Sequence, residues 1–407
     1  MGHFADRFVS SLRLLGLCHL CGAVFMFLAW IYTSTHAHFN FWSLFLLYLG
    51  FLAFYMPTMA LSNTTTFSLL KLRGIRPVDR FPVIRIWGTL GFVAAMWFVN
   101  SAYIYDGVFG FTLIDTVPAA PHRFQYTPMQ LLCSAILGLL TSLYTLVLPT
   151  TPVPHPGKSA SFSDIFGFKA FKLFKLPEVR TFLIFAVFTG VCLQISNGYA
   201  IPYINHFMGF EEYMRSLAAG NATLLFSMSQ ISEAAFILLT GIAMKRIGFK
   251  YVIFLALFAW CLRFLFLGLG NPTDGIWWLV FSMIIYGIAF NFFNIAGHIY
   301  MDQKSDSTTK GFGQGLLMMM SNGIGATGGM IAAGAIVNHY CHWEIMPSPS
   351  GTGMMRLFMG DWFWPWIIFA AYALGLSLLF VLFYRNRSAI LNQDKGSIAT
   401  PRYRVSK

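Results

Sequence analysis

Long apolar stretches broken by short polar segments dominate the chain, with runs near residues 11–33, 41–64, 81–105, 128–148, 181–205, 221–244, 252–270, 277–299, 312–337 and 362–384. Crossing a hydrocarbon core takes about 20 apolar residues as a helix, because only a helix satisfies its own backbone polar groups there. The pattern therefore predicts an all-α polytopic membrane protein with ten transmembrane helices and the lipid bilayer as its first partner. Composition agrees, at 57% hydrophobic, 10% charged and a mean hydropathy of +0.64, which excludes a soluble globule.

Charge adds orientation. A net +12 would suit a nucleic-acid partner if it formed one basic face, but 22 of the 27 basic residues fall on alternate loops or at the chain ends. They include Arg7 and Arg13, Lys71 to Arg80, Lys158 to Arg180, Lys245 to Lys250, Lys304 and Lys310, and the tail from Arg385. The opposite loops hold only Arg123, Arg215 and Arg356. The positive-inside rule then predicts that both termini and the 149–180 connection are cytoplasmic, and no nucleic acid is called for. Met1 to Arg13 is polar and basic and leads into a span-length run, so no cleavable signal peptide is expected.

Five of the six cysteines lie within spans, and Cys18-x-x-Cys21 on a hydrophobic helix reads as packing. His339 and His342 flank Cys341 without the carboxylate spacing of a metal site, so neither metal nor cofactor is expected.

The runs divide four and six. The expected organisation is an N-terminal bundle at 1–148, a cytoplasmic linker at 149–180, a six-helix bundle at 181–384 and a basic tail at 385–407. In the linker, Phe166, Phe171 and Phe174 alternate with Lys169, Lys172 and Lys175, the pattern of an amphipathic helix lying on an anionic membrane surface. Gly241 to Arg246 and Gly2 to Arg7 both read Gly-x-x-x-(Asp/Lys)-Arg, and repeats of this kind relate transporter halves. Two spans of its half precede the former and none the latter, so the first bundle is expected to be short of two helices, the rival being a native ten-span protein.

Against this apolar background, Glu233 alone of the 15 acidic residues lies deep inside a span. A charge at mid-membrane costs about 2.5–3.5 kcal/mol on insertion scales, so it needs a partner, a proton or a wet cavity. Gln230 shares its helix face, and Gln194 with Asn197 repeat the spacing in LQISN. Arg85, Thr89 and Phe92 share a face in FPVIRIWGTLGF, as do Tyr286 and Phe290 in YGIAFNFFN, where Asn291 and Asn294 widen the stripe. Two explanations stand: four polar stripes around one cavity, or amides bonding helix to helix.

A cavity so lined suits a neutral, partly flat solute. Amides offer paired donors and acceptors for a nucleobase edge or sugar hydroxyls, and rings such as Phe92, Tyr286 and Phe290 stack on a base for ~1–3 kcal/mol. Glu233, one carboxyl held away from water, is the candidate carrier of one proton per cycle, with an ion pair to Arg85 or a neutral buried acid as the alternatives. Arg263, in WCLRFLFLG, lacks polar neighbours within its span and is expected to snorkel toward the outer interface in a structural role.

The segments FPVIRIWGTLGF, LQISN, SMSQISEAAFIL, WCLRFLF and YGIAFNFFNIAG, in this order, with YMPTMALSNT before them, resemble the bacterial nucleoside:proton symporters, the nucleoside permease family of the major facilitator superfamily. The resemblance runs from Gly2 to the last span. It implies a twelve-helix fold of two six-helix bundles, a central nucleoside cavity and alternating access driven by the proton gradient at a bacterial inner membrane.

It also implies that Arg85, Thr89, Phe92, Gln194, Asn197, Gln230, Glu233, Tyr286 and Phe290 line the site. This chain has Asn291 where the family usually has Asp; the amide can still bind substrate by bonding a ribose hydroxyl but cannot ionise, which would leave proton coupling to Glu233 alone. The expected function is thus import of nucleosides with protons. The rivals are a symporter for another neutral solute such as a sugar, a truncated inactive product, and a membrane enzyme, for which the spans offer only scattered His19, His206 and His298.

Overall fold

The computed structural model describes residues 10–36, 40–112, 119, 122–149, 173–214, 216–220, 222–305, 310–347 and 354–384. The basic tail, the Gly2–Arg7 motif and the expected linker helix up to position 172 lie outside the described residues; of that helix only the end, with Phe174 and Lys175, is described, as a short 3-10 turn at 173–175.

Before the linker come α1 (Ser11–Thr35), α2 (Phe41–Leu72), α3 (Pro77–Ser101) and α4 (Met129–Thr145). After it come α5 (Pro177–His206), α6 (Ala222–Arg246), α7 (Gly248–Leu269) and α8 (Ile276–Lys304). Next, α9 (Lys310–Met318) continues through a π-helical turn at Met319–Gly325 into α10 (Ala326–Tyr340), and α11 (Phe363–Phe383) closes the chain. Nine of the helical crossings are long and apolar enough to span a bilayer, and α4 is a shorter apolar helix, which makes four and six among the described residues.

Local chemistry sets the ends. Ser10 caps α1 by accepting from the Arg13 amide at 3.3 Å, and Asn40 caps α2 by accepting from the Trp42 amide at 2.8 Å. Gly74, at φ 69°, takes the left-handed turn that stops α2, and Pro77 opens α3 where a missing amide hydrogen costs nothing.

One element departs from an expected span, and a second lies in a loop between spans. The sequence run at 81–105 ends early: residues 102–105 form β1 (Ala102–Tyr105), paired with β2 (Val108–Phe111) through Asp106 and Gly107, both at positive φ. An Asp-Gly pair is the preferred loop for a two-residue hairpin, because both positions need positive φ. A second hairpin, β3 (Cys341–Pro347) with β4 (Met354–Gly360), caps the same end of the molecule. Pairing satisfies the facing backbone groups of both strands within each hairpin.

The core lies within α5 to α11, where Phe182, Leu183, Trp260, Phe264, Tyr300, Trp366 and Phe380 are almost fully buried. α2 and α3 are mostly exposed along their apolar windows, yet their inner turns, with Phe67, Leu70, Val78 and Phe81, join that core. Beyond those turns, α3 packs on α6 and α2 on α9. Lys71 pairs with Asp302 and Asp79 with Lys245 (2.5 Å), so two ion pairs tie α2 to α8 and α3 to α6 at the basic end.

Candidate functional site

α3, α6 and α8 bring their polar stripes together about midway along the helices. Thr89, Glu233 and Asn291 each lie 12 to 13 residues from the basic end of their helix, roughly 20 Å at 1.5 Å per residue. The Thr89 hydroxyl donates to Glu233 Oε1 at 2.9 Å, and Asn291 Nδ2 donates to the Glu233 backbone oxygen at 2.7 Å. All three residues are buried.

The approach of α6 to α8 depends on one glycine. A side-chain carbon at Gly287 would sit 2.6 Å from the Ser232 backbone oxygen, so no larger residue leaves Glu233 and Asn291 within reach of each other. The Ser232 hydroxyl also donates to the Ile284 oxygen across the same seam.

Gln230, one turn from Glu233, is buried and interacts with the Tyr286 hydroxyl. Tyr286 stacks on Phe290 with centroids 5.5 Å apart and planes 8° from parallel, and Trp260 meets its edge at 5.9 Å. Tyr286 is buried, while Phe290 is half-buried and lines a small cleft with Trp260, Asn294, Thr189, Ser321 and Asn322.

Arg85 is half-buried and acts electrostatically on both Glu233 and His298, without an ion pair to the carboxyl within 4.0 Å among the described residues. Gln194 is half-buried and Asn197 exposed, and neither side chain has a hydrogen-bond partner among the described residues. Phe92 is 54% exposed, with no ring contact to Tyr286 or Phe290. The structure thus joins Thr89, Gln230, Glu233, Tyr286, Phe290 and Asn291 into one network, of which Phe92, Gln194 and Asn197 are not part among the described contacts.

One sequence expectation is overturned. Arg263 does not snorkel: it is fully buried, Nε donating to Ser196 Oγ at 3.0 Å and Nη1 to the Ser282 oxygen at 2.9 Å. Ser196, Ser282 and the nearby Ser229 lie on three other helices, so the polar neighbours that Arg263 lacks along its own helix come from across the bundle. Serine hydroxyls in apolar segments carry little signal, since each can also bond its own helix backbone.

The sequence also gave no warning of the buried pair between α8 and α9. His298 Nδ1 and Gln314 Oε1 lie 2.5 Å apart, and Gln314 Nε2 donates to the His298 oxygen at 2.9 Å. At the rim, His342 pairs with Glu344 at 2.6 Å, and no group of three metal-ligating side chains occurs among the described residues.

The profile of the family described as "Nucleoside H+ symporter" matches residues 1–389. The chain belongs to the nucleoside H+ symporter family. Xanthosine permease of Escherichia coli (strain K12) is 35% identical over 382 residues, covering 93% of this chain and 82% of that protein. Nucleoside permease NupG of the same organism is 33% identical, covering 95% and 83%.

The crystal structure of nucleoside transporter NupG superposes with a TM-score of 0.63 at 32% identity, over 93% of this chain and 84% of that one. The Major Facilitator Superfamily transporter FucP, in the outward conformation, reaches 0.54 at 13% identity over 92% and 83%, a likeness of fold alone. This family member therefore has the major facilitator fold, and its relatives are permeases and transporters, not enzymes.

Proposed function

We propose that this symporter imports nucleosides across a bacterial inner membrane and that Glu233 carries the coupled proton. The observation that carries the reading is the Thr89–Glu233 hydrogen bond, which links the stretch before the linker to the stretch after it through a carboxyl. An ionised carboxyl only accepts, and it holds the α3 hydroxyl tightly; a protonated one is neutral and holds it less. Protonation at Glu233 therefore loosens the contact across which residues 1–148 would rock against 181–384.

Phe290 supplies a face for a planar base, and Gln230, Gln194 and Asn197 supply amides for its edge and for ribose hydroxyls. With the basic loops cytoplasmic, the Lys71–Asp302 and Asp79–Lys245 pairs close the inner side until the loaded carrier reorients.

The test is transport in proteoliposomes. An inwardly directed proton gradient should drive accumulation of labelled uridine, and Glu233→Gln should abolish accumulation while sparing uridine counterflow. Proton-driven uptake at full rate in Glu233→Gln overturns the carrier assignment. Counterflow of a neutral sugar but not of uridine overturns the substrate.

A further inference from the structure

Arg263 carries a charge into the driest part of the bundle and meets no carboxylate there. Its side chain is fully buried, and among the described residues it has no ion-pair partner within 4.0 Å. A buried charge without a counter-ion is costly, and packing alone would be served as well by a neutral side chain of similar volume. The guanidinium must therefore do something that an apolar chain could not.

Its surroundings show what. Nε reaches Ser196 on α5, Nη1 reaches the Ser282 oxygen on α8, and Nη1 lies 3.4 Å from Ser229 on α6. The Ser282 hydroxyl returns a bond to the Arg263 backbone oxygen at 3.0 Å, which locks the pair of helices in register. These bonds fix the guanidinium plane, and its central carbon lies 4.5 Å from the centroid of the Tyr286 ring. Tyr286 is thus held over its face by Arg263, at its edge by Trp260 and alongside by Phe290.

We infer that Arg263 is a positioning residue of the transport site: without touching solute, it sets the plane of Tyr286 and through it the tilt of Phe290, the ring exposed to the cleft. The inference rests on the proposed nucleoside site. A planar fork is needed because two bonds and one stacking face must be met at once, which an ammonium cannot do. The cation also draws on the ring face, an attraction that strengthens when water is excluded.

Two measurements on the full chain test it. Uridine binding to purified protein should weaken about tenfold in both Arg263→Gln and Arg263→Lys, the size expected when one stacking face is lost. In a Tyr286→Leu background the same changes should alter binding less than about twofold, since coupling needs the ring. An equal loss with and without the ring, or no loss at all, overturns the inference.

The second measurement needs no solute. Fluorotyrosine placed at position 286 should give one sharp fluorine resonance with Arg263 and a broadened or split one with Arg263→Gln; an unchanged line overturns the inference. Should the Arg263 variants fail to fold, Ser196→Ala and Ser229→Ala each remove one of its bonds and should broaden the same line, and lines left sharp overturn it equally. A broadened line in the Arg263 variants together with a wild-type protein that binds no uridine would count against the nucleoside reading alone.

Discussion

The Thr89 hydroxyl and the Glu233 carboxyl, 144 positions apart in the chain, meet at 2.9 Å where α3 crosses α6. Replacing Thr89 by valine keeps the shape and deletes the donor. Leaving a buried acceptor without its partner costs about 1–3 kcal/mol, so initial uridine uptake should fall about ten- to a hundredfold, and Thr89→Ser should recover most of it. Equal uptake by the valine and wild-type proteins would show that the bond has no part in transport.

Asn291 donates to the Glu233 backbone oxygen, and only a donor suits that position. An aspartate there donates only while protonated. Asn291→Asp should therefore lower the thermal midpoint in detergent near pH 8 and regain much of the loss near pH 5, because the bond is present at low pH and lost as pH rises. A midpoint shift that is the same at both pH values would contradict this.

Lys71–Asp302 and Asp79–Lys245 fasten the basic ends of α2 and α3 to α8 and α6. Exposed pairs are each worth only ~0–1 kcal/mol, but Asp302 is buried, so removing Lys71 strands a carboxylate. Lys71→Ala combined with Lys245→Ala should lengthen distances between spin labels placed at the basic ends of α2 and α8. A distance distribution identical to that of the parent protein would remove these pairs from the gate.

Cys341 opens β3 at the rim, 3% exposed, and burial pushes its thiol up to about 12, with Asp361 adding to the effect. Thiolate is the reactive form, so with Cys341 as the sole cysteine, maleimide labelling at pH 8 should be negligible in the folded protein and complete after denaturation. Rapid labelling of the folded protein would mean that the hairpin opens.

How far the sequence reaches is plain at particular residues. The ten crossings follow from apolar length, because a bilayer demands a continuous run from each helix separately. Gln230 and Glu233 share a face because three residues make nearly one turn. The hairpin at Ala102–Phe111 was legible in Asp106-Gly107 but hidden by the apolar residues around it, which extend the preceding run.

Arg263 misled for a different reason: its partners Ser196, Ser229 and Ser282 sit on other helices, and residues this small pass as packing. Phe92, Gln194 and Asn197 lie on the stripes that periodicity found, yet the network formed by Glu233 does not include them.

By itself the sequence determined the solvent, the number of crossings and the one carboxyl that hydrocarbon would not tolerate, since these depend on transfer free energies of contiguous segments. Only the tertiary structure decided that this carboxyl meets Thr89, that Tyr286 lies beneath a guanidinium, and that α6 and α8 touch at Gly287. Helical periodicity tells which side of a rod is polar, whereas rotation, crossing and close approach of the rods are fixed by packing between segments far apart in the chain.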